Sequence, residues 1–150
     1  MGFNRYVLDR VPEFDTELGP GALGFGDDGL FSWQLEEAGF RIGEAPEALV
    51  THHPDASRLL RSSWLSAARS RGRTEAYLLY HWLHSDVKCP RLRRWWLGAK
   101  LAARRRVCEL GQDVGPWWEL SYVLHIAKCR QFEVERKRPR NYAKRGLRKL

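Results

Sequence analysis

Cysteine is scarce in this chain. Cys89, Cys108 and Cys129 stand far apart, with no CxxC pair among them. An odd, scattered set supports neither a disulfide framework nor a zinc site, and a reducing cytosol is the expected compartment. Long apolar runs are missing as well. The longest near-apolar stretch, AYLLYHWL at 76–83, is interrupted by a histidine. It falls far short of the roughly 18 residues that span a bilayer. The opening residues hold no apolar leader segment and no small-residue cleavage site, so no secretory signal is expected. Gly2 lacks the Ser or Thr that a myristoylation signal needs. No internal repeat and no recognisable nucleic-acid-binding motif is present. What remains is a soluble or peripheral chain, cytoplasmic or on the inner face of the membrane, of about one domain by its length.

What the chain has is aromatic bulk and lopsided charge. A hydrophobic share of 43% with 7 Trp is enough for a core and excludes a disordered chain. Residues 1–55 hold 3 Lys/Arg against 11 Asp/Glu, a net of −8. Residues 56–150 hold the other 23 and 7, a net of +16. Such asymmetry between halves suggests two jobs. The basic half suits anionic lipid, nucleic acid or a phosphorylated substrate.

Along the chain, FNRYVL (3–8) reads as a short strand or turn leading to a helical stub stopped by Pro12. Residues 13–26 hold Gly19, Gly21, Gly24, Gly26 and Pro20, the composition of a loop shaped by positive-φ positions. From Asp28 the spacing of Phe31, Leu35 and Ala38 predicts a helix, with Asp28 as N-cap and Gly39 as stop. FRIGEAP and EALVTHH read as two short extended segments around Pro46. As a strand, the second puts Ala48, Val50 and His52 on one face.

The rest reads as helical. Leu60, Trp64 and Ala68 form one stripe, Tyr77, Tyr80 and Leu83 another, and RSRGR (69–73) joins or kinks them. Pro90 opens a helix with Leu92, Trp96, Ala99, Ala103, Val107 and Leu110 on one face and Gly111 at its end. Pro116 opens another through Trp117, Leu120, Leu124 and Ala127. Eight Lys/Arg follow Glu135. The expected organisation is 1–55, 56–134 as a helical extension, and 135–150 as a basic tail.

Two features in residues 24–53, GFGDDGLFSWQLEEAGFRIGEAPEALVTHH, point to chemistry: the adjacent carboxylates Asp27-Asp28 and the adjacent histidines His52-His53. Taken alone, a carboxylate pair caps a helix more often than it reacts, and a His pair is more often a surface feature than a metal ligand. Sites for metal binding and proton transfer need such groups to converge. The wider pattern resembles the acceptor-side, C-terminal half of a family 2 glycosyltransferase, an inverting enzyme with the A-type nucleotide-sugar fold. NRYVLDRVPEFDTELGPG resembles the family's segment ending in a "vGgFDE.LG.G" loop. GDDGLFSWQLEEAGFRI resembles "GEDxDLxxRLxxAGyrI", and PEALVTHH resembles "PxAxVxH" with Pro46, Ala48, Val50 and His52 in register. RSRGRTEAYLLY is similar to the Gly-containing helix that follows in the family.

The resemblance implies an α/β fold: a partial GT-A-like glycosyltransferase domain over 1–55, followed by a mostly α-helical extension. It implies transfer of a sugar from a nucleotide-sugar donor to an acceptor hydroxyl with inversion. Asp28 takes the family's base position and Asp27 the preceding acidic position that orients the site. His52 matches a ligand of the divalent cation, Mn or Mg, that steadies the leaving diphosphate. Gly24 and Gly26 of the loop, with Trp33 and Gln34, are the expected substrate-binding residues. Gln34 replaces the family's usual Arg, and Leu30 its second Asp. No DxD precedes residue 27. The expected partners are therefore a nucleotide-sugar, a sugar or lipid-linked acceptor, and a separate upstream half that brings the nucleotide and the metal, this chain being truncated or one piece of a split enzyme.

RLRRWWLGAKLAARRRV (91–107) carries a second possibility. An ordinary packed helix with a solvated basic face explains it, and so does an interfacial helix on anionic membrane. The alternatives to an enzyme are a non-catalytic remnant or partner subunit that binds membrane or protein through these helices and, less favoured for want of a motif, a nucleic-acid binder.

Overall fold

The computed structural model describes residues 2–108 and 116–150. It is helical, 56% helix and 1% strand, with no sheet among the described residues. The expected α/β glycosyltransferase architecture is therefore overturned: this is a small all-helical fold. The sole β pairing described is an isolated bridge between Tyr142 and Lys149. The expected extended segments at 40–55 run without regular structure, and Leu49 and Val50 are 90% and 88% exposed. A strand keeps its form by ladder bonds and a covered face. This segment has neither, so its alternating pattern produces no strand.

Among the described residues there are four α-helices: α1 (Asp27–Glu37), α2 (Arg61–Tyr77), α3 (Pro90–Val107) and α4 (Trp117–Glu135). Short 3-10 turns lie at Arg5–Asp9 and Ala56–Leu59. Each takes a side-chain cap, from Asn4 and Asp55 respectively. α2 is continuous through RSRGR, so the expected joint is absent. Gly72 is instead the point where α2 meets α4. A Cβ there would stand 3.0 Å from the Leu124 carbonyl carbon and the Lys128 nitrogen, and closer still to the Leu124 oxygen. Only a residue without a side chain allows two backbones so near. At its C-terminal end α2 widens into a single π turn, Leu78–Trp82, in which the Leu83 N–H donates to the Leu78 carbonyl. Leu110 and Gly111, the expected end of α3, lie outside the described residues.

The core runs through four patches. Leu65, Ala68, Leu101 and Val123 join α2, α3 and α4. Ala76, Val87, Cys129 and Phe132 continue between α2 and α4. Val7, Val11, Phe31 and Leu35 seat α1 on the N-terminal turn. Leu18, Leu30, Tyr77, Leu78, Trp82 and Tyr142 join α1, the π turn and the C-terminal segment.

That last patch changes the meaning of the basic tail. Residues 136–150 fold back over the molecule, and Tyr142 is buried. The Gly146 carbonyl accepts from Trp82 Nε1 at 3.0 Å and from Gln34 Nε2 at 3.1 Å. Arg138 reaches Glu17, Arg145 reaches Glu37, and Lys149 reaches both Asp15 and Glu17. Part of the charge asymmetry is thus spent inside the molecule, basic C-terminal residues against acidic N-terminal ones.

Candidate functional site

The acidic pair stands on a loop closed by its own backbone. Gly24 N–H donates to the Gly19 carbonyl at 2.8 Å, and Leu23 N–H to Glu17 at 3.2 Å. Gly19, Gly24 and Gly26 have φ of 78°, 103° and 87°, values that a side chain disfavours. Their lack of Cβ also lets three neighbours close in. Cβ atoms there would lie 2.8 Å from the Asp27 carboxyl carbon, 2.8 Å from Ser70 Cβ and 2.5 Å from Thr74 Cγ2. Thr74 Oγ1 fixes the loop by donating to the Phe25 carbonyl at 2.9 Å. The loop is therefore clamped between the start of α1 and one face of α2. Gly24 and Gly26, expected to touch substrate, are where it rests on α2.

Gly26, in the left-handed conformation, is the N-cap of α1, not Asp28. Asp27 and Asp28 are the first two helical residues, where a carboxylate favours the helix dipole. They divide the space. Asp27 is half-buried against Gly19, and Asp28 is exposed, its Oδ1 accepting only the Gly29 N–H at 2.7 Å. The next turn separates the remaining expected residues. Trp33 faces outward, half-exposed, its ring stacked 5.6 Å from Trp82. Gln34 is buried and donates to Gly146, so its side chain serves the interior. Leu30, standing where the family has an Asp, is wholly buried.

His52 and His53 are exposed in the irregular 40–55 stretch. Among the described residues no three His, Cys, Asp or Glu side chains converge on a metal-sized space. The described side chains do not by themselves make a divalent-cation site.

Sequence reasoning missed a second acidic centre. Asp15 lies buried beneath the glycine loop. Its Oδ2 accepts from Tyr77 at 2.6 Å and Tyr142 at 2.7 Å, and Lys149 Nζ lies 2.6 Å from Oδ1. Burial pushes its carboxyl up, but the hydrogen bonds from Lys149, Tyr77 and the Glu17 N–H outweigh that and hold it below the usual range. Burial and the same carboxylate raise both tyrosines well above the ordinary phenol range. The carboxylate and both tyrosines are closed to solvent, and the centre serves as a structural anchor. No local signal marks it: Asp15 stands among Glu13, Thr16 and Glu17 in a polar loop, and the tyrosines that hold it lie far along the chain.

Compared with family models, curated proteins and solved structures, the chain matches none of them.

Proposed function

We propose that this chain takes part in inverting sugar transfer, with Asp28 as the carboxylate that receives the proton of the acceptor hydroxyl. The observation behind this reading is the division within the pair: Asp27 is packed into the Gly19 turn while Asp28 faces solvent on a clamped backbone. A proton acceptor must be reachable, and its backbone must hold still. The ordered motifs from 13 to 53 support the same chemistry. Trp33 offers an aromatic face to a sugar one turn farther along α1. The described residues contain no sheet on which a nucleotide could lie. The reading therefore assigns the nucleotide-sugar and any divalent cation to a separate half that docks against this one.

The test supplies that half in trans from a family 2 enzyme and follows transfer. Asp28→Asn should lower turnover by about 10²–10⁴, the usual cost of losing a general base. Asp27→Asn should do less, and both variants should melt like the parent. Near-parental turnover in Asp28→Asn, or no turnover in any assembly, overturns the reading.

A second reading, a non-catalytic peripheral subunit, is favoured by the outer face of α3. Trp95 and Trp96 are 70% and 49% exposed, and Leu92 and Val107 also point outward among Arg91, Arg93, Lys100 and Arg104. Aromatic rings among cations suit an anionic membrane surface.

A further inference from the structure

Where α2, α3 and α4 meet, a groove of about 670 Å³ opens on the side of the bundle. Arg69 and Arg73 of α2, Arg105 of α3 and Arg130 of α4 line it, and among the described residues no Asp or Glu does. Four guanidinium groups around one space repel one another unless something neutralises them. Among the described residues only one meets a carboxylate: Arg105 is held by Glu119, its Nε 2.7 Å from Oε1. Arg73 Nη2 donates to Ser70 Oγ at 3.0 Å, a neutral partner. Arg69 and Arg130 lie within ion-pair distance of no carboxylate among the described residues.

A second observation is independent of that charge. Arg73 Nε is the one buried side-chain nitrogen or oxygen among the described residues that has no hydrogen-bond partner. Leaving such a donor unsatisfied costs about 1–3 kcal/mol, and a buried orphan in a folded protein calls for an ion or water to complete it. An oxyanion in the groove would do so. The flat guanidinium fork matches the spacing of phosphate oxygens better than any other side chain does.

We propose that this groove is a binding site for a phosphate or diphosphate ester. Its volume lies in the range of small-molecule sites, roughly 300–1,000 Å³, and exceeds what a bare phosphate needs. Leu101, Val123 and Ile126 supply apolar wall for the organic part of the ligand. The groove and the acidic pair share one element: Ser70 lines the groove and also carries the weight of Gly24. The proposal does not depend on sugar transfer, since it is read by binding alone.

Two soluble probes separate the sources of such an ester. Inorganic pyrophosphate stands for a diphosphate in solution, and dihexanoyl phosphatidic acid, below its micellar concentration, for a lipid headgroup. Titration calorimetry on the whole chain at low salt should give saturable binding of about one probe per molecule. The tighter probe identifies the source. Arg69→Gln with Arg130→Gln should weaken binding about tenfold or more; both side chains are exposed, so the fold should stand. Arg73→Lys keeps the charge and removes the orphaned Nε, and should weaken it comparably. Arg10→Gln, on the exposed N-terminal turn, should change nothing. Saturable binding lost only in the groove variants sustains the site. No saturable binding of either probe, or equal loss in Arg10→Gln, overturns it.

Discussion

Glu119 is a carboxylate shared by three helices. It is fully buried in the first turn of α4 and receives Arg61 from the start of α2 and Arg105 from the last turn of α3. The hydrogen bond from Arg61 outweighs burial and, with Arg105, holds its carboxyl below the ordinary range. Both arginines keep some solvent contact, so losing the carboxylate should not strand them fully. Glu119→Gln keeps the shape and leaves two cations facing each other, and should cost about 2–3 kcal/mol in urea unfolding. A variant within about 0.5 kcal/mol of the parent would mean that the triad adds little. At this scale the sequence was partly legible. Gln34 follows Leu30 by four and Phe31 by three, so it shares their buried stripe. That spacing could have moved it from the substrate to the core. Asp caps helices well, which points to Asp28 as the cap, but a helix entered through a positive φ favours glycine, and Gly26 supplies it.

Among the elements, α1 and its Gly39 stop follow the apolar spacing, with Phe31 and Leu35 buried as expected. For α3 the spacing misleads. Leu92, Trp96, Ala99, Ala103 and Val107 do form a stripe, but they are exposed, and Leu97 and Leu101 are buried instead, Leu101 against α2 and α4. Two apolar stripes lie on one helix, and periodicity cannot say which one a neighbour covers; that depends on α4. The strands at 40–55 fail for a related reason: alternation describes a face, and nothing among the described residues covers it. The uncovered stripe of α3 leads to a measurement. Vesicles containing phosphatidylglycerol should pull the chain down, and added salt should release it, each surface Lys or Arg contributing about 1 kcal/mol at low salt. Trp95→Ala with Trp96→Ala should weaken this binding without changing the melting temperature, since both rings are largely outside the core. Binding to duplex DNA with none to vesicles would favour nucleic acid. No described helix is long and apolar enough to cross a membrane.

For the whole molecule, the buried carboxylates decide how stability follows pH. Asp15, Glu119 and Glu135 are all held below their ordinary values; burial in the last turn of α4 pushes the Glu135 carboxyl up, but the hydrogen bonds from His81 and Gln131 outweigh it. In each case the folded state binds its proton less readily than the unfolded chain does. Their stabilisation is complete above the unfolded carboxylate range, about pH 4, and is lost as pH falls through the lower folded values. Melting temperature should therefore hold steady from pH 7 to about 5 and fall steeply below 4. A flat profile down to pH 3 would mean that these groups are not the anchors described. The basic C-terminal segment was legible as charge but not as structure. Its partners Asp15, Glu17 and Glu37 lie more than a hundred residues away, and nothing local announces a pairing at that distance.

The Gly146 carbonyl, accepting at once from Gln34 and Trp82, also sets the order in which this molecule can come together. Its bond to Gln34 closes a loop of 112 residues, and the Tyr142 bond to Asp15 one of 127. Closing a loop of that length costs about 2 kcal/mol more chain entropy than closing one of ~12 residues. On a ribosome, Asp15 and Glu17 emerge long before Arg138, Tyr142 and Lys149 do, and in that interval the acidic loop has none of these partners. The helices α2, α3 and α4 can meet through nearer contacts, and the glycine loop can settle on α2 through Thr74, while Asp15 and Glu17 beside it gain their last partners only when residues 138–149 arrive. The carboxylates beneath the candidate chemistry thus wait for more than a hundred further residues before their charge is answered.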